Sequence, residues 1–150
     1  MGAAYFYHLT RTPVEATLPA LLERALGAGW RVEVRGVEPG FMDWLDRELW
    51  LKPEEGFLPH GREGGAHDAD QPVLLTTARA GGRACLMTLQ GAEVSAEEVK
   101  EAERVCILFD GHDGAAVDHA RSQWKNLTAA GCSAQYWSQE SGRWEKKAEA

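Results

Sequence analysis

Two loops of the chain carry side chains that could bind a metal ion or support hydrolysis. One loop contains His60, His67, Asp68 and Asp70, and the other is the string Asp110-Gly111-His112-Asp113. Zinc sites need three or four converging ligands, and neither loop has a recognised spacing such as H-E-x-x-H. The second loop is explained more simply as a turn followed by an N-cap at its last aspartate. We therefore expect no metal and no cofactor.

A nucleotide site is also disfavoured. The first turn between a predicted strand and a predicted helix is Leu9-Thr10-Arg11-Thr12-Pro13, which contains no glycine. A phosphate cradle needs glycine there, because backbone amides must approach the anion closely. No G-x-G-x-x-G follows a strand, and no G-x-x-x-x-G-K-[ST] occurs. One alternative stays open, a nucleotide- or metal-dependent α/β enzyme with a site at Asp110, His112 and Asp113.

Aromatic residues near the end of one predicted helix suit a binding surface better than catalysis. Pro39–Leu51 has helical periodicity, and Trp50 falls roughly opposite Phe41 and off the apolar stripe. Phe57 follows seven residues later in a loop. The two rings either line a surface pocket or join the core when the loop folds back.

A second predicted helix, Asp113–Ala130, combines an aromatic ring with two cations. Arg121 and Lys125 lie on the flank beside Trp124. Cations at positions i and i+4 repel each other mildly, and an anion between them relieves that repulsion. This arrangement fits a peptide with an acidic part and a hydrophobic part. The alternative is a solvated basic edge.

Composition limits the remaining classes. The 150 residues fit one globular domain with ordinary apolar content, and no apolar run is long enough to span a bilayer. The N-terminus lacks the features of a secretory signal. Three well-separated cysteines predict buried thiols in a reducing, cytoplasmic setting. The net charge of −7 argues against broad nucleic-acid binding, so direct nucleic-acid contact is not expected and would need a local basic face.

Apolar strands and helices alternate along the chain, which predicts a mainly parallel sheet with helices on both faces. Thr12 and Glu15 predict a capping box at the first helix, and Ser95 and Glu98 predict another. The remaining strands are predicted at 4–9, 31–35, 72–77, 83–89, 104–109 and 133–137. A Gly81-Gly82 turn is predicted to join the strands at 72–77 and 83–89 as in a hairpin. We also expect a loop at 54–71 and at most a turn after residue 138.

One longer pattern resembles a known family. Leu45-Asp46-x-x-Leu49-Trp50, followed by Phe57-Leu58-Pro59-His60-Gly61, is similar to the signature of the chi subunit of bacterial DNA polymerase III. Weaker matches are Tyr5-Phe6-Tyr7, Pro72-Val73 and Ala120-Arg121-x-x-Trp124-Lys125. The resemblance covers about residues 4–137. It implies one Rossmann-like three-layer α/β domain over 1–138, without a phosphate-binding loop, and a partly flexible C-terminal extension over 139–150.

The resemblance also implies a function. Chi is a non-catalytic accessory subunit of the clamp loader that binds the acidic, Phe-ending tail of single-stranded DNA-binding protein, and in some bacteria a small psi subunit. It thereby tethers the replicase to coated template. Arg121 would hold the terminal carboxylate, Lys125 the aspartates, and Pro59-His60-Gly61 would brace the loop. The implied pocket, with one wall from each of the two helices, consists of Trp50, Phe57, Val117, Arg121, Trp124 and Lys125.

Overall fold

The computed structural model describes residues 2–51, 60–64 and 68–150. Within these ranges the chain forms eight strands, four α-helices and a short 3-10 helix at Asp68–Asp70. The strands are β1 (Ala3–Leu9), β2 (Val32–Arg35), β3 (His60–Arg62), β4 (Val73–Thr76), β5 (Cys85–Thr88), β6 (Arg104–Asp110), β7 (Ser133–Ser138) and β8 (Glu145–Glu149). The helices are α1 (Val14–Gly27), α2 (Pro39–Leu51), α3 (Ala96–Glu101) and α4 (Gly114–Ala129).

All strands belong to one open sheet with the order β3-β4-β2-β5-β6-β1-β7-β8. Every pairing is parallel except that of β7 with β8. Two hydrophobic clusters lie on opposite sides, because successive side chains of a strand point to opposite faces. One cluster packs under α1 and α2, and we call that side the α1/α2 face. The other packs under α3 and α4 and is the α3/α4 face. The predicted mainly parallel α/β sandwich is confirmed.

Local signals explain several boundaries. Ser95 forms the predicted capping box with Glu98 at the start of α3, with both reciprocal hydrogen bonds present. The carboxylate of Asp113 accepts hydrogen bonds from the first-turn amides of α4, as predicted for an N-cap. Gly131, which follows the C-cap Ala130 of α4, has φ +89°, a conformation that favours glycine at a helix end.

The cap predicted for the first helix is wrong. Pro13 is the N-cap of α1, and no side chain bonds to the helix amides there. The Thr12 hydroxyl instead contacts the Thr17 hydroxyl at 2.6 Å, and its backbone amide is bonded to Gln139. Thr12 is therefore bonded to a residue far away in the sequence instead of capping the helix. The local sequence pattern could not show this contact.

Two predictions about the middle of the chain are also wrong. The segment predicted as a loop contains the short edge strand β3, which pairs with β4. The Gly81-Gly82 turn does not join a hairpin, because β4 and β5 are parallel and lie on either side of β2. Both glycines have positive φ, so a turn is present. Residues 77–84 return across the sheet without a helix, although parallel strands are usually joined through one.

A buried ionic network holds this crossover against β2. The sequence predicts a half-buried strand there, but Glu33 and Arg35 are only 2% and 5% exposed. Both point to the α3/α4 face, where the Arg35 guanidinium bonds the Glu33 carboxylate at 2.8 Å and that of Glu98 at 2.7 Å. The same Glu33 carboxylate accepts hydrogen bonds from the crossover amides of Ala80 and Gly81. Charged side chains thus satisfy backbone groups that a helix would have satisfied internally.

The C-terminal residues form more structure than the predicted turn. β8 pairs antiparallel with β7, and Ala134 and Ala150 exchange two backbone hydrogen bonds. Trp144 packs on the α1/α2 core with its ring centroid 5.3 Å from that of Tyr7. The division after residue 138 stays a prediction. The three cysteines are buried and unpaired, as expected. No helix in the described part of the chain is long and apolar enough to span a membrane.

Replacing Arg35 by Met should destabilise the fold strongly. The substitution leaves the Glu33 carboxylate without its cation and leaves Glu98 with only the more exposed Arg79 as a partner. Removing one partner of a buried ion pair typically costs about 3–5 kcal/mol. Chemical denaturation of purified Arg35→Met and of the wild type measures the difference. Arg47→Met, which removes an exposed arginine on α2, is the matched control and should change stability by less than about 0.5 kcal/mol. Equal stability of the two variants would contradict the role of the network.

The same network should make stability depend on pH. Burial alone raises the pKa of the Glu98 carboxyl, but hydrogen bonds from Arg35 and from the Ser95 amide outweigh it and hold the pKa below the usual value. Stability from this group is therefore complete at neutral pH and is lost as the pH falls through the lowered pKa. We expect the difference in melting temperature between wild type and Glu98→Gln to shrink between pH 7 and pH 3. Glu97→Gln, at an exposed neighbouring position, should show no such trend.

Candidate functional site

A crevice opens where the carboxyl ends of β1 and β6 lie side by side. The chain leaves β1 for α1 on one face and leaves β6 for α4 on the other, so the two connections diverge and leave space between them. The resulting pocket has a volume of about 860 Å³, and its wall includes Phe41 and Phe109. Asp110, His112 and Asp113, the site of the alternative enzyme hypothesis, also line it.

The position that would cradle a phosphate is occupied by the protein itself. Three consecutive amides after β1, those of Thr10, Arg11 and Thr12, donate hydrogen bonds of 2.8–3.0 Å to the side-chain oxygen of Gln139. The Gln139 side-chain nitrogen in turn donates to the Thr12 hydroxyl. Gln139 is buried and comes from the segment after β7. The amides that could receive an anion are therefore already paired within the chain.

The polar residues of the crevice have structural partners. The Asp110 carboxylate accepts the His112 amide, and the His112 ring lies 2.8 Å from the Thr10 carbonyl. Asp113 caps α4 through the amides of Ala115 and Ala116. No group of three potential metal ligands occurs among residues 2–51, 60–64 and 68–150. His67 of the first candidate loop lies outside the described residues. Nothing in this geometry favours the enzyme alternative.

Replacing Gln139 by Ala should weaken the fold, because three amides lose their acceptor in a partly buried site. The expected loss is about 1–3 kcal/mol, measured by chemical denaturation. Gln139→Glu is the matched comparison, since a carboxylate keeps an acceptor and forms stronger, charge-assisted hydrogen bonds. It should be more stable than Gln139→Ala at neutral pH, and only the part of its stability that comes from the carboxylate charge should be lost in acid. If the alanine variant were as stable as the glutamate variant, the three hydrogen bonds would contribute nothing to the free energy of unfolding.

On the α3/α4 face, α4 presents the predicted basic and aromatic residues together. Val117 and Trp124 are half-buried, whereas Arg121 and Lys125 are exposed. Neither cation forms an ion pair or a hydrogen bond with any residue that the structure describes. Their charges are thus available to an anionic partner.

Trp124 belongs to an aromatic cluster that the sequence reading missed. Its ring centroid lies 5.3 Å from that of Phe6 and 6.1 Å from that of Tyr136. The Tyr136 hydroxyl contacts the His8 ring at 3.3 Å. Burial raises the pKa of Tyr136, and the charge of Arg121 offsets part of that rise, which is consistent with Arg121 lying near the phenol. The sequence offered one indication of this cluster. Alternation along Ser133–Trp137 places Tyr136 on the same face of the sheet as Ala134.

Trp50 lies in a different part of the molecule. It is 51% exposed near the end of α2, and its ring centroid is 4.2 Å from that of His60. The His60 ring nitrogen lies 3.1 Å from both the carbonyl and the carboxylate of Asp46. His60 therefore contacts α2 from β3, which fits a bracing histidine better than a catalytic one. Phe57 and Pro59 lie outside the described residues.

The structure does not bring Trp50 together with Arg121, Trp124 and Lys125. α2 packs on the α1/α2 face and contacts β3 and β4, whereas α4 packs on the α3/α4 face and contacts β6 and β7. The sheet separates the two sets of residues. The predicted single pocket with one wall from each helix is therefore wrong, and the two sets form separate surfaces.

These features define a Rossmann-like α/β protein whose phosphate position is filled by its own side chain and whose Trp50 and Trp124 lie outside the crevice lining. The family model for the DNA polymerase III chi subunit, HolC, matches residues 1–135. The chain belongs to this family, which confirms the resemblance and supports an accessory role in the bacterial replicase. No curated protein matches the sequence.

Proposed function

We propose that this protein is a non-catalytic, cytoplasmic accessory subunit of the clamp-loader part of the replicase, and that it binds the acidic C-terminal tail of single-stranded DNA-binding protein. One observation carries the proposal: Arg121 and Lys125 are exposed and unpaired within the described residues, beside the half-exposed ring of Trp124. Family membership supplies the context of DNA replication. Binding the tail would tether the replicase to coated template.

Each part of such a tail has a chemically suitable partner on α4. A guanidinium can bind a terminal carboxylate through two parallel hydrogen bonds, which suits Arg121. Lys125, one turn further along, can attract the preceding carboxylates as a point charge. A terminal phenyl ring can pack against Trp124 and the methyl groups of Val117, with Tyr136 beside them. Because only two cations contribute, the affinity should fall only modestly with added salt.

The end of α2 supplies a second, separate surface. Leu51 is 71% exposed and follows the half-exposed Trp50, so two large apolar side chains face solvent at one place. Exposed apolar patches on small proteins often mark binding sites for other proteins. We assign this surface to the clamp-loader contact, made directly or through a psi-like subunit. Phe57 follows Trp50 closely in the chain and is proposed to belong to it.

Titration with a peptide ending in acidic residues, Pro and Phe tests the tail site. Arg121→Ala should weaken binding about tenfold or more, since a charge-assisted hydrogen bond contributes about 1.5–3 kcal/mol. Isothermal calorimetry or fluorescence anisotropy gives the dissociation constants. Lys125→Ala should have a smaller effect. Lys100→Ala, at an exposed site on α3, should have none.

A double-mutant cycle sharpens the assignment of Arg121. A peptide with an amidated C-terminus should bind the wild type as weakly as the free-acid peptide binds Arg121→Ala, and amidation should have little further effect in that variant. Trp50→Ala should leave the peptide affinity unchanged and should reduce co-elution with the clamp loader. Independent effects of amidation and of Arg121→Ala would place the carboxylate elsewhere. A loss of peptide binding in Trp50→Ala would restore the single-pocket hypothesis.

A further inference from the structure

Part of the α1/α2 face carries aromatic side chains that remain half-exposed. α1 packs over β2 and β6, and the side chains of β1, β7 and β8 on this face lie beyond those strands in the sheet order. Tyr5 and Trp137 are half-exposed there, as is Trp144 from the turn before β8. We call the region formed by Tyr5, Tyr7, Trp137 and Trp144 the open sheet face. Neither proposed partner surface includes it.

A guanidinium group lies within this aromatic region. The central carbon of the Arg104 guanidinium is 4.3 Å from the Tyr5 ring centroid and 5.3 Å from that of Trp30. This contact holds the side chain in place through cation–π attraction. The Arg104 side chain forms no ion pair or hydrogen bond with any residue in the described ranges. Its N–H groups are therefore available to an external acceptor while its plane stays fixed.

The rings on the neighbouring strands are positioned at a regular spacing. Tyr7 and Trp137 are register partners on adjacent parallel strands, and Tyr5 lies two residues before Tyr7 on the same face. The Trp137 indole donates a 3.1 Å hydrogen bond to the Gln135 side chain, which itself donates to Glu149 of β8. Trp144 meets Tyr7 edge to face, with an interplanar angle of 85°. These contacts orient the rings before any ligand arrives.

We propose that the open sheet face binds single-stranded nucleic acid, with bases stacked on Tyr5 and Trp137 and a phosphate held by Arg104. Aromatic rings on a sheet surface are a recurrent way to stack unpaired bases, and a nearby guanidinium can contact the backbone. A duplex offers no accessible base faces, so the site selects single strands. The net charge of −7 predicts no broad nucleic-acid binding, but this contact is local and depends mainly on stacking.

This inference is independent of the tail site. Trp137 and Trp144 lie after residue 135, where the match to the family model ends. They belong to the part of the chain that also supplies β8, which lies next to β7 at the edge of the sheet. The proposed contact would allow the protein to touch a stretch of template that is free of its coating protein.

Fluorescence anisotropy with a labelled oligothymidylate of about 12 nucleotides tests the inference, since small stacking modules cover about 4–16 nucleotides. Trp137→Leu and Tyr5→Leu keep apolar bulk and remove a stacking surface, and each should weaken binding at least about fivefold. Arg104→Gln should weaken binding and lower the salt dependence, which for one phosphate contact has a logarithmic slope of about −0.7. Circular dichroism and melting temperature verify that each variant is folded.

Two further measurements separate this site from the tail site. Trp137→Leu should bind the acidic peptide as tightly as the wild type, and Arg121→Ala should bind the oligonucleotide as tightly as the wild type. Absence of oligonucleotide binding by the wild type at low salt would overturn the inference, as would a folded Trp137→Leu that binds normally. A homodimer that Trp137→Leu dissociates, detected by light scattering, would show that a second copy of the chain covers this face instead.

Discussion

The contact of the Arg35 guanidinium with two buried carboxylates is the constraint on which the middle of the sheet depends. β2 lies between β4 and β5, and the chain must cross over it without a helix. Glu33 binds the amides of that crossover, Arg35 pairs with Glu33 and with Glu98 of α3, and Arg79 of the crossover pairs with Glu98 as a second cation. Each charge is tolerable in this site only because the others are present. The network also connects α3 to the sheet, so it links elements that are far apart in sequence.

A second internal contact determines what the carboxyl edge of the sheet can bind. In nucleotide-binding α/β proteins the amides after the first strand receive a phosphate. Here Gln139, from the opposite end of the chain, supplies a neutral oxygen to these amides. The crevice is still about 860 Å³ in volume, but the amides that would bind an anion are already paired. The fold therefore retains the shape of a nucleotide binder without that chemistry. The surfaces that we propose for partners lie instead on the outer sides of α2 and α4 and on the sheet.

The alternation of apolar segments was sufficient to predict the layers, the parallel sheet and the extent of α2, because burial of periodic faces dominates those choices. The features that it missed depend on partners distant in sequence. The pattern of Val32–Arg35 suggested a solvent-facing side, and only the fold shows that Arg35 and Glu33 meet Glu98. Thr12 loses its capping role to a competing contact of Gln139. The proximity of Arg121, Trp124 and Lys125 could be predicted because the three residues share one helix. Whether Trp50 lies near α4 depends on which face of the sheet each helix covers. The resemblance of short motifs to a family carries no information about those faces.

The separation of α2 and α4 by the sheet has a consequence for how the protein can link other molecules. Partners bound on opposite faces do not compete for space, so a complex containing both can form without displacement of either. A protein with both proposed contacts would be a bivalent linker, and its benefit would come from effective concentration: once one side is engaged, the second partner is confined to a small volume around it. Modest affinity on each side is then enough for a durable assembly, while each contact can still dissociate and exchange individually.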